Sequence, residues 1–166
     1  MILGMSTSTF TEVHVVLSLI GIFSGIIVLF GMFSAKRLAG WTALFVVSTV
    51  LTSVTGFFFH SEHFGPPHVV GVISLGVLAV AILARYVYRL AGPWRWIYVG
   101  SAVVALYLNV FVGVVQAFQK LPSLSRLAPT QSEPPFFVAQ LIVMAIFVLL
   151  GLRAVTRFRP ATERPT

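Results

Sequence analysis

Cysteine is absent from the chain, so disulfides, thiolate metal sites, iron–sulfur clusters and cysteine nucleophiles are all excluded. Charge is also scarce: 9% of the 166 residues are charged, against roughly 25% in ordinary globular proteins. Only four residues are acidic, Glu12, Glu62, Glu133 and Glu163. No carboxylate falls inside an apolar run, which counts against a proton-coupled transporter built on a mid-membrane acid. The sequence has no Walker loop, no GxSxG, no HExxH and no repeat of solenoid period.

What fills the space is hydrophobic. At 58% apolar residues, a chain of this length lacks the polar surface a soluble fold needs. The charges are instead confined to the ends of long apolar runs, the pattern of membrane spans. Five runs stand out, at about 13–33, 41–59, 69–88, 96–118 and 135–152. Each approaches the roughly 20 residues that carry a helix across about 30 Å of hydrocarbon. The expectation is an all-α integral membrane bundle of five transmembrane helices in one domain spanning 1–166. The fifth run is the shortest, and the alternative is four spans plus an interfacial helix. The first run is longer than a signal-peptide core and residues 1–12 carry no Lys or Arg, so it reads as a retained helix.

The +7 net charge invites a nucleic-acid reading, but the basic residues sit at span ends and form no polar face. They report topology. With the N-terminus outside and the C-terminus inside, Lys36, Arg37, Arg85, Arg89, Arg95, Arg153, Arg157, Arg159 and Arg164 fall on the inner side. Only Lys120 and Arg126 fall outside. That asymmetry follows the positive-inside rule. The one long connection, from Gln119 to Pro134, spaces Leu121, Leu124 and Leu127 three apart, which reads as a short turn lying on the outer surface. Ser132 is placed to cap the fifth helix, with Pro134 and Pro135 in its first turn.

On this topology all four histidines, His14, His60, His63 and His68, fall at the outer face with Glu12, Glu62 and Glu133. Three of them share the nine residues HSEHFGPPH. The plain reading is a polar hairpin tip at headgroup level. The sharper readings make His14, His60, His63, His68 and Glu62 ligands. A b-type haem needs an axial imidazole against an apolar cavity. A divalent transition metal would accept His60 and His63 at i, i+3, with His68 folded back beside them. A quinone headgroup needs neither iron nor metal, only histidine, amides and aromatics at the membrane edge. Asn109, Gly113 and Gln116 share one stripe of the fourth helix, and Gln140 lies at similar depth on the fifth. Buried amides must find partners in lipid, so these predict a polar pocket opening outward.

Gly21 and Gly25 form a GxxxG, which permits close helix packing. The hydroxyls of the second helix, Thr42, Ser48, Thr49, Thr52, Ser53 and Thr55, can bond within their helix or across to a neighbour.

The stretches WTALFVVSTVLTSVTGFFF, LYLNVFVGVVQAFQK and LAPTQSEPPFFVAQL resemble a small, uncharacterised family of bacterial multi-span inner-membrane proteins. The resemblance covers most of residues 13–152 and implies the bacterial inner membrane, with no activity, cofactor or catalytic residue attached. Two functions follow from the residues. One is a small membrane protein whose outer-face His/Glu/Gln site binds haem, metal or quinone in a redox role. The other is a non-enzymatic accessory or assembly subunit of a larger membrane complex. The expected partners are membrane lipid, quinone, and further copies or partner membrane subunits, with no nucleic acid.

Overall fold

The computed structural model describes residues 4–59 and 65–159. His60, Glu62 and His63 therefore lie outside the described residues, as do Glu163 and Arg164. Five long helices account for nearly everything described: α1 (Thr7–Phe33), α2 (Ala39–Gly56), α3 (Pro66–Ile82), α4 (Trp94–Lys120) and α6 (Pro134–Arg157), with one short turn of helix, α5 (Pro122–Ser125). A π-helical turn, Leu83–Val87, continues α3. All five long helices have the length and apolarity to cross a membrane, as expected of a multi-pass membrane bundle.

Local chemistry explains where the helices begin. The Ser6 hydroxyl accepts the Thr9 N–H at 3.1 Å, so α1 starts six residues before the apolar run does. Pro66 and Pro67 preset the first turn of α3, and His68 Nδ1 accepts the Gly65 N–H at 3.2 Å. Pro134 and Pro135 do the same for α6, but Ser132 is not its cap. Glu133 holds the N-cap position, and its carboxylate turns back to the Thr130 amide and hydroxyl and the Ser132 amide. The fifth helix is also longer than its apolar run. It continues through Arg153 to Arg157, because a charge at the membrane edge ends hydrophobicity without ending a helix.

α4 is the hub, packing against α1, α3 and α6, while α2 packs against α1 and α3. The two ends of the bundle differ. Toward the end where α1 finishes and α4 begins, the core is dense: Leu29, Met32, Phe45, Leu78, Tyr98, Val99 and Leu106 are all buried together. Of the GxxxG glycines, Gly25 lies against this core and Gly21 faces Asn109, Thr49 and Ser48. A Cβ on Gly25 would stand 2.6 Å from Leu106 Cδ1 and 2.9 Å from the Phe45 ring. At the other end a smaller cluster of Phe118, Ala128 and Phe136 ties α4 to α6. Leu124 packs against that cluster while Leu121 and Leu127 stay exposed. The turn predicted for this connection is thus α5, held down by one leucine of the three.

Candidate functional site: a polar cavity between four helices

Between α1, α2, α3 and α4, at the end carrying His14 and His68, the packing gives way to an open cavity of about 800 Å³. Its cause is side-chain size. Ser18, Gly56, Gly71, Ser74, Gly113 and Ala117 line it, and such small groups cannot fill the space between four helices. Along α4 the lining runs from Leu108 to Lys120, about 18 Å at 1.5 Å per residue, or rather more than half the thickness of a bilayer's hydrocarbon. Apolar walls come from Val15, Leu19, Ile22, Leu108 and Val112. The volume falls in the range of small-molecule sites, which pair apolar walls with a few polar groups.

The floor is a hydrogen-bonded layer. Asn109 Nδ2 donates to Thr49 Oγ1 at 3.0 Å, and a Cβ on Gly21 would approach both atoms to 3.1 Å. Three helices thus meet at one amide. Just above, Ser53 donates to Ser74 Oγ at 3.2 Å, joining α2 to α3. Thr52 also lines the cavity, and its buried hydroxyl has no partner. Gln116 and Lys120 stand nearer the mouth.

The two described histidines both line the cavity, and their ring nitrogens are set in opposite senses. Thr55 Oγ1 directs its single proton to the Leu51 carbonyl at 2.7 Å. The 2.8 Å contact between Thr55 Oγ1 and His14 Nδ1 therefore requires the histidine to donate. A neutral His14 then carries its proton on Nδ1 and its lone pair on Nε2. His68 accepts at Nδ1 from Gly65, so a neutral His68 carries its proton on Nε2. An aromatic ring lies beside each: Phe59 edge-on to His14 at 5.1 Å, and Phe57 tilted against His68 at 5.7 Å.

Of the residues singled out in the sequence, the cavity gathers His14, His68, Asn109, Gly113 and Gln116. Gln140 lies elsewhere, in the α4–α6 contact, where Nε2 donates to the Phe111 carbonyl at 3.2 Å and Oε1 is buried without a partner. Among the described residues no group of three or more His, Asp or Glu side chains could hold a metal ion. Thr52, named among the second-helix hydroxyls, and Lys120, named as an outer cation, join the lining, as do Thr11 and Ser18, which had not been singled out. Their signal was position alone, since Thr11 and Ser18 stand at i−3 and i+4 from His14 on one face of α1.

Compared with family models, curated proteins and solved structures, the chain matches none.

Proposed function

We propose that this protein binds a small membrane-borne organic molecule of the quinone class in the cavity between α1, α2, α3 and α4. The observation that carries the reading is the cavity's composition: apolar walls with hydrogen-bonding groups at its floor and mouth. Gln116 and Lys120 can donate to a ring carbonyl, and the partnerless Thr52 hydroxyl offers another polar contact deeper in. His14 Nε2 is an acceptor suited to the hydroxyl of a reduced, quinol-type head. An apolar tail would lie along Val15, Leu19 and Ile22.

The eight described basic residues at the opposite end, against Lys120 and Arg126 at this one, favour a cavity facing outward from a bacterial inner membrane. The same His14 geometry supports a second reading, haem bound through Nε2. An N–H···O bond from the non-ligating nitrogen is the usual way a ligating imidazole is oriented. α6, the least buried of the five spans, leaves an apolar face on which an accessory-subunit role would rest.

Calorimetric titration of the detergent-purified protein with a short-chain ubiquinone analogue tests the first reading. Saturable binding that weakens at least tenfold in Gln116→Ala and His14→Ala, but not in Gln119→Ala, is the expected result. No heat of binding in the wild type would overturn it. An absorption spectrum of the same sample, oxidised and reduced, decides the haem reading through the presence or lack of a Soret band.

A further inference from the structure

At the end of the bundle opposite the cavity, Arg85 carries a charge that no described acidic side chain balances. Arg85 lies inside the π-helical turn that follows α3 and is nine-tenths buried. One guanidinium nitrogen donates to the Arg37 carbonyl at 2.6 Å and another to the Tyr98 hydroxyl at 3.3 Å. The Tyr86 and Tyr98 rings flank it at 5.7 and 5.3 Å. These contacts satisfy donors and clamp the α1–α2 connection to α3 and α4, yet every partner is neutral. No described carboxylate pairs with Arg85: Glu12 and Glu133 stand at the other end of the bundle.

A buried cation left unpaired is costly, and an ionisable side chain within a span is by default a site. Two further observations point the same way. Arg37, whose carbonyl Arg85 grips, buries its own Nε with no partner. The π turn itself is a departure from regular helix of the kind that recurs at functional positions. The depth is right for a lipid head. All three tryptophans, Trp41, Trp94 and Trp96, belong to this end, and tryptophan concentrates at the membrane–water interface. Lys36 and Arg89 are exposed beside the pair.

From these we infer that Arg37, backed by Arg85, binds a phosphate oxyanion, supplied by the headgroup of an anionic phospholipid in the adjoining leaflet. The phosphate meets the Arg37 guanidinium directly, and Arg85 behind it contributes the second positive charge. Basic pockets between spans are a known form of headgroup site, and guanidinium matches phosphate geometry in a way an ammonium does not.

The test is thermal unfolding of the full chain in neutral detergent, with added phosphatidylglycerol, phosphatidylcholine or inorganic phosphate. Phosphatidylglycerol should raise the midpoint by roughly 3–6 °C at saturation, and phosphatidylcholine should not. The shift should vanish in Arg37→Gln, which keeps the backbone carbonyl that Arg85 needs, and survive in Arg157→Gln, elsewhere in the basic end. If inorganic phosphate reproduces the shift and Arg37→Gln removes it, the oxyanion site stands and the source is a free anion. Equal shifts in Arg37→Gln and wild type, equal losses in Arg37→Gln and Arg157→Gln, or no shift in the wild type would each overturn the assignment.

Discussion

The Asn109 amide on α4 donates to the Thr49 hydroxyl on α2 at 3.0 Å, and Gly21 on α1 is the residue whose missing side chain lets the pair form. One bond thereby fixes three helices at the depth where the tight core ends and the cavity begins. Hydrogen bonds between membrane helices are individually weak, so Asn109→Ala should cost about 0.5–2 kcal/mol. Gly21→Val adds bulk where a first carbon already meets both polar atoms at 3.1 Å, and should cost about 1–3 kcal/mol. Unfolding by denaturing detergent in mixed micelles ranks the two. Gly21→Val coming out milder would mean the helices separate there at little expense.

Gly25 and Gly76 make a second comparison. A methyl group at Gly25 would be driven into Leu106 and the Phe45 ring, whereas at Gly76 it meets nothing within 4 Å. Gly25→Ala should destabilise by about 1–3 kcal/mol through overpacking. Gly76→Ala should be neutral or stabilising by up to about 1 kcal/mol, because alanine is the better helix former. The same detergent titration reads both, and equal effects would contradict the packing.

Glu133 predicts a pH dependence. Desolvation raises its carboxyl's pKa, but hydrogen bonds from the Thr130 hydroxyl and amide and from the Ser132 amide outweigh it and hold the group below its ordinary value. A carboxyl depressed on folding contributes stability above its unfolded pKa and loses it as pH falls through the folded one. The loop entering α6 should therefore loosen below about pH 4.5, with amide exchange at Thr130 and Ser132 speeding up first. In Glu133→Gln that acid-triggered change should be missing. Unaltered exchange in the wild type across this range would remove the role given to the carboxylate.

The tautomer of His14 is open to direct measurement. Nitrogen chemical shifts should assign the proton to Nδ1 in the wild type. Thr55→Val removes the acceptor and should release that preference, with a loss of about 0.5–1.5 kcal/mol for the bond. His68, bonded in the opposite sense, should keep its proton on Nε2 in both proteins. A His14 proton found on Nε2 would undo the acceptor role assigned to that nitrogen.

The five spans were legible because the requirement that creates them, satisfying the backbone inside hydrocarbon, writes itself as long apolar runs. Their ends were less so: α1 begins at a hydroxyl cap and α6 continues past its first arginine, and both facts depend on polar residues that hydropathy discounts. The stripe of Asn109, Gly113 and Gln116 could be read because helical spacing alone assigns it to one face. Gln140 belonged on the same list by depth yet faces a different neighbour, since depth leaves the rotation of a helix undetermined. Arg85 counted in the sequence only as an interfacial cation. It is buried on the same stripe as Ser74, Leu78 and Ala81, the packed face of its helix, and hydropathy alone does not assign that face.

The cavity also has an electrical consequence. Wherever it holds water, the insulating layer is thinned from the Lys120 mouth to Asn109, and the transmembrane voltage must fall mainly across the packed half between Asn109 and Arg85. At roughly 2.3 kcal/mol per elementary charge per 100 mV across the full field, an ion moving within the vestibule does almost no work. One held at the Asn109 floor, by contrast, would meet nearly the whole potential in the next few turns of α4.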